Sequence, residues 1–168
     1  MAPLRLNAVA FVSSQNHPIL IRTFNQPKQD ELKYHYIAHT SLDVIDERIT
    51  AATATKSTDC YLGLLYVEDV AVYGYMTPLK VKIILALELS DALVRDADIV
   101  AIFKALHTAY RRSIANPFLK LNSPGSENIV TDHSTIIYAG TPKWKAFRRR
   151  VDEIGKAVST GVPIVSSA

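Results

Sequence analysis

Five polar residues in one stretch have the types and spacing from which a reactive site could be built: His35, His39, Asp43, Asp46 and Thr50. They recur at i, i+4, i+8, i+11 and i+15, so on a helix they share one stripe. Two histidines four residues apart can chelate a divalent cation, and a carboxylate one turn on could complete the ligand set. In zinc proteases of this spacing a Glu follows the first His and serves as general base; Tyr36 stands there instead. No metal is expected. The stripe reads as a polar helix flank that either borders the core or meets a protein partner.

Other candidates for chemistry are sparse. No P-loop, dinucleotide glycine pattern or nucleophile elbow is present, and Cys60 has no neighbouring residue that would activate it. At the start of a strand it reads as a small buried hydrophobe. Asn116-Pro117-Phe118 matches a tripeptide read by EH-type endocytic modules. After a long helix it is better explained as a helix stop with Phe118 folded into the core. Neither a catalytic residue nor a cofactor is expected.

The polar stripe needs a helix, and the sequence supplies one from about Asp30 to Ala52. Tyr34, Ala38, Leu42, Ile45 and Ile49 form an apolar stripe beside the polar one, widened by Ile37 and Val44. Asp30 and Glu31 suit the positive end of its dipole. Before it, Leu4 to Ser13 and Pro18 to Phe24 read as strands; after it come Cys60 to Val67, Val70 to Thr77 and Lys80 to Leu89. Ala8 to Val12 is apolar on both faces, and so is the last strand, with Val81, Ile83, Leu85 and Leu87 against Ile84 and Ala86; both are marked as central strands covered by helices on each side. A second helix, about Asp96 to Ala115, would bury Ile99, Ile102, Phe103, Leu106, Tyr110 and Ile114. A last helix, about Thr141 to Val158, would bury Trp144, Phe147, Val151, Ile154 and Val158. The order is ββαβββαα, in one domain over residues 1–158. Residues 121–141 form a long loop that could include a short strand at 134–139, and 159–168 form a mobile tail.

Composition agrees with one cored α/β domain: 168 residues, 48% hydrophobic and few glycines. One cysteine cannot form an internal disulfide, and the apolar runs are too short to span a bilayer, so the cytosol is expected. Met1 to Val12 superficially resembles a signal peptide, but Asn7 interrupts it and no small-residue cleavage site follows. Lipidation motifs are lacking. The net charge of +3 is uneven. Lys143 to Lys156 holds six basic residues against Asp152 and Glu153, which leaves the rest of the chain slightly acidic. Charge confined to one helix does not suit a nucleic-acid surface. It fits a solvated face, an acidic protein partner or an anionic membrane.

Longer strings carry a family likeness. His39 to Ile49 (HTSLDVIDERI) resembles the His-x-x-Leu-Asp-x-x-Asp-Glu run in the first helix of sedlin-family proteins. Tyr61 to Asp69 (YLGLLYVED) and Val72 to Thr77 (VYGYMT) are similar to strands of that family's TRAPP-subunit-2-like branch. Asp96, Ile99, Phe103, Leu106, His107, Tyr110 and Asn116-Pro117-Phe118 are similar to its second helix and its end. Ala146 to Lys156 (AFRRRVDEIGK) resembles its closing helix. The strings run in family order from about Val9 to Lys156. The 121–141 loop is longer than the family's connection, and the tail beyond Ser159 is extra.

The resemblance implies a longin-like α/β fold, a five-stranded antiparallel sheet with the first helix on one face and two helices on the other. It also implies a non-catalytic part of the TRAPP vesicle-tethering complex, a Rab guanine-nucleotide-exchange assembly, aiding its assembly or stability in ER–Golgi and Golgi traffic. The implied partners are Bet3-type core subunits and large TRAPP subunits, and indirectly a Rab GTPase. Nucleic acid is not among them, and membrane contact is at most peripheral, at ER–Golgi or Golgi membranes. By the same resemblance His39, Asp43 and Asp46 are the expected protein interface; the alternative is that Asp43 hydrogen-bonds within the fold and holds the adjoining loop. The competing family reading is another longin-type trafficking module, a small adaptor subunit or SNARE-regulatory domain. The lack of a heptad segment or anchor after the last helix is expected to set it apart from a longin SNARE.

Overall fold

The two runs that are apolar on both faces lie side by side at the centre of a sheet, where both of their faces are covered. In the computed structural model, which describes residues 4–24, 31–54, 60–89, 94–116 and 144–161, they are β1 (Leu6–Val12) and β5 (Lys82–Glu88). Around them stand β2 (Pro18–Thr23), β3 (Tyr61–Val67) and β4 (Val70–Met76), with helices α1 (Glu31–Ala54), α2 (Asp96–Ile114) and α3 (Lys145–Thr160). The strand order is β2-β1-β5-β4-β3 and every pairing is antiparallel. All seven residues of β1 are buried, as are the first six of β5, which is the physical reason their sequences do not alternate. The expected 121–141 loop and its short strand, Phe118, and the tail from 162 onward lie outside the described residues.

Alternation along each strand divides the core in two. Ala8, Ala10, Val12, Val72, Ile84 and Ala86 face α1, which contributes Tyr34, Ile37, Ala38, Leu42 and Ile45. The small alanines on this face let the helix sit close to the sheet. Val9, Phe11, Ile83 and Leu85 face α2 and α3. There Phe11 stacks on Tyr110 at 6.0 Å and meets the edge of Phe147 at 5.1 Å, so one strand residue joins both helices. One helix on one face and two on the other is the longin-like arrangement that the family resemblance implies.

The sheet edges are finished differently. β3 carries register breaks between Tyr61 and Gly63 and between Leu64 and Tyr66, with Gly63 at φ +75°. That left-handed backbone suits a bulge and favours glycine. Arg48, reaching down from α1, donates to the carbonyl oxygens of Leu62 and Leu65. On the other edge, Arg22 of β2 makes a bidentate pair with Asp152 of α3 at 2.8 and 2.7 Å. This hydrogen bond raises the Arg22 pKa above its ordinary value. Phe24, just past β2, packs against α3: a Cβ on Gly155 would stand 2.4 Å from Phe24 Cε1. Glycine is favoured there by contact, since any Cβ would displace the Phe24 ring and the helix needs no unusual dihedral. α3 ends at Gly161 in the left-handed conformation.

Candidate interaction surface

Helix α1 has two polar sides with different fates. Its inner flank is consumed by the fold. Ser41 is fully buried and donates to the Ile37 carbonyl at 2.7 Å. The Tyr66 hydroxyl of β3 also meets the Ile37 carbonyl, at 3.1 Å, and lies within 3.1 Å of Thr40 Oγ1. Near the other end, Lys82 at the start of β5 has a side chain only 6% exposed. Its ammonium donates to Asn16 Oδ1 at 2.6 Å and forms an ion pair with Asp46. Asn16 holds φ +63° in the β1–β2 turn and donates to Asp46 Oδ2 at 3.4 Å. Helix, turn and strand therefore meet at one carboxylate. A buried ammonium requires such a partner.

The expected interface residues are thus separated by the structure. Asp46 is half exposed yet engaged within the fold, and Thr50 bonds back to its carbonyl at 2.8 Å. The adjoining-loop anchor considered for Asp43 is supplied by Asp46. His35, His39 and Asp43 are exposed. Among the described residues His39 and Asp43 have no hydrogen-bond or ion-pair partner. They do not stand alone: Leu32, Tyr36, His39, Asp43 and Glu47 follow spacings of 4, 3, 4 and 4, one line along the outer face of α1. Leu32 is 78% exposed and Tyr36 66%. The two large apolar residues were missed in the sequence. Their signal was present, since they fall out of phase with Tyr34, Ala38 and Leu42.

The line has an apolar end and an acidic end, a pattern that serves recognition better than reaction. Among the described residues no three His, Cys, Asp or Glu side chains gather where a metal ion could be held. Nor is any described helix long and apolar enough to cross a membrane. Cys60 is half-buried and packs against the α2/α3 side of the core. The shifted titrations belong to the core and to ion pairs. Burial pushes the Tyr110 phenol up to about 12. Burial, then a 2.9 Å hydrogen bond to Asp96, raises Tyr61 further. Lys33 near the start of α1 holds Asp69 of the β3–β4 turn below the usual carboxylate range.

Known proteins have similar sequences. The sedlin family profile matches residues 11–136. The Bos taurus protein named Trafficking protein particle complex subunit 2-like protein is 43% identical over 130 residues, covering 73% of this chain and 92% of that protein. Proteins of the same name from Xenopus tropicalis and Dictyostelium discoideum are 41% and 42% identical, covering 69% and 71% of this chain and 84% and 86% of theirs.

Proposed function

The chain belongs to the sedlin family, and from that premise we propose that it is a non-catalytic subunit of a TRAPP complex that docks through the outer face of α1. The relatives' names supply the kind of assembly, a trafficking protein particle complex. The observation that carries the docking surface is the line Leu32, Tyr36, His39, Asp43 and Glu47. Exposed large apolar side chains next to unpaired polar ones have the composition of an interface centre and its rim. The partners are other TRAPP subunits, both small core subunits and large ones. The Rab GTPase is met only through the assembled complex, in ER–Golgi and Golgi traffic. Catalytic groups are supplied elsewhere; this chain's part is to hold the assembly together.

Asp43→Tyr tests the reading, with co-purification of other TRAPP subunits as the readout. Asp43 is exposed and has no partner among the described residues, so the variant should fold as the parent does and recover those subunits poorly. Undiminished recovery would refute the docking face. An unfolded variant would also count against it, because it would place Asp43 in the fold. Recovery of clathrin-adaptor large chains in place of TRAPP subunits would favour the adaptor reading.

A further inference from the structure

The opposite side of the molecule has a different surface. α2 and α3 lie together on the sheet face away from α1, with Tyr110 against Phe147 at 5.9 Å and Arg150 donating to Ser113 Oγ at 3.4 Å. These contacts bring the C-terminal end of α2 beside the first turns of α3. Six cations gather there: Arg111, Arg112, Lys145, Arg148, Arg149 and Arg150. Among the described residues, few acids on α3 stand beside them. Asp152 is held by Arg22, and Glu153 meets Arg149 at 3.3 Å with both side chains largely exposed. Arg111 and Lys145 have no ion-pair partner among the described residues.

The dipole of α3 does not favour this arrangement. The positive end of a helix dipole disfavours cations, and α3 has no acid in its first turn and no side-chain cap. Lys145, Arg148, Arg149 and Arg150 nonetheless occupy its first two turns. The surface is also poor in other features. Every exposed large hydrophobic among the described residues lies on α1, on β3, in the β4–β5 turn or just after β5, and none lies on α2 or α3. A protein interface of useful affinity draws on buried aromatic and aliphatic anchors, and a single-stranded nucleic-acid surface on exposed rings. Among its described residues this layer has neither. A dense cationic surface without apolar anchors suits a partner that needs only charge, and a cluster of four to eight Lys and Arg residues meets that need at an anionic bilayer.

We propose that the outer face of α2 and α3, centred on Arg111, Lys145 and Arg149, is a docking surface for anionic phospholipid membranes. Contact is electrostatic and peripheral, with no side chain inserted. It lies on the reverse side of the sheet from the α1 line, so a protein on α1 and a membrane on α2/α3 can be held at once. The proposal does not depend on which protein occupies α1.

The full chain is mixed with sedimenting phosphatidylcholine vesicles, with or without phosphatidylserine, and the bound fraction is measured. Binding is expected only with phosphatidylserine. It should fall sharply as salt rises from about 0.1 M to about 1 M, where the screening length drops from roughly 10 Å to about 3 Å. Each surface cation contributes roughly a five-fold gain in partitioning. The triple variant Arg111→Gln, Lys145→Gln, Arg149→Gln should therefore bind on the order of 100-fold more weakly, with an unchanged far-UV spectrum. Equal binding to neutral vesicles, no binding to either, or full binding by the variant overturns the proposal. Loss of a protein partner by the variant, when the parent ignores vesicles, would assign the surface to an acidic protein and also overturn it.

Discussion

Asp43 and Asp46 are one helical turn apart on the same helix, yet replacing each with alanine should have very different effects on stability. Lys82 is nearly enclosed, with Asn16 and Asp46 as its partners. Asp46→Ala leaves the ammonium with one neutral acceptor. Breaking a fully buried pair in this way costs about 3–5 kcal/mol. The Asp46 side chain is 50% exposed, so water can reach the vacated position, and about 2–3 kcal/mol is expected instead. Against a typical domain stability of about 5–15 kcal/mol, urea unfolding followed by circular dichroism resolves that easily. Asp43→Ala should stay within about 0.5 kcal/mol of the parent. Removing the ammonium as well should rescue the loss, because Lys82 projects into the row of Ile84 and Ala86. Asp46→Ala with Lys82→Met should fall within about 1 kcal/mol of the parent, giving a coupling of about 2 kcal/mol in the double-mutant cycle. If Asp46→Ala costs no more than Asp43→Ala, or the lysine substitution gives no rescue, the separation of the two carboxylates into folding and docking roles is wrong.

Two further outcomes follow from the α2/α3 side. Gly155→Ala puts a methyl group where the Phe24 ring already lies, and should cost about 1–3 kcal/mol by overpacking. Phe24→Ala in the same chain should recover part of this in thermal unfolding, and additive losses would refute the contact. Tyr110 is fully buried, and its hydroxyl has no hydrogen-bond partner among the described residues. Because its folded pKa is raised to about 12 from a free value near 10, the folded state holds the proton longer. Stability is therefore fully present below pH ~10 and lost as pH rises toward ~12. Tyr110→Phe should be neutral or slightly stabilising at pH 7 and should flatten that alkaline decline, measured as unfolding free energy against pH; an unchanged decline would refute it.

The sequence discloses the layers of this fold more readily than its fastenings. β1 and β5 are legible as central because Ala8 to Val12 and Ile83 to Leu87 have no polar face, and α1 because Tyr34, Ala38, Leu42 and Ile45 keep helical phase. The helix–sheet division follows from those patterns. Pair contacts between distant segments are not written in any local period. Asp46 and Asp43 look equivalent along the helix. What distinguishes them is a lysine 36 positions away from Asp46, enclosed because it shares a strand face with Ile84 and Ala86. A cation in that row was the available signal that an acid must face it. The need for glycine at 155 depends on a ring at position 24 and has no local trace.

The finish of β3 has a consequence for the free chain. An outermost strand with regular unpaired amides and carbonyls is a template on which another copy can add, and such growth does not stop of itself. Here Gly63 breaks the line and Arg48 occupies the carbonyls of Leu62 and Leu65. The exposed Leu64 and Val67 consequently sit on an irregular margin. The same arginine that fastens helix to sheet makes that margin a poor template for fibre-like stacking.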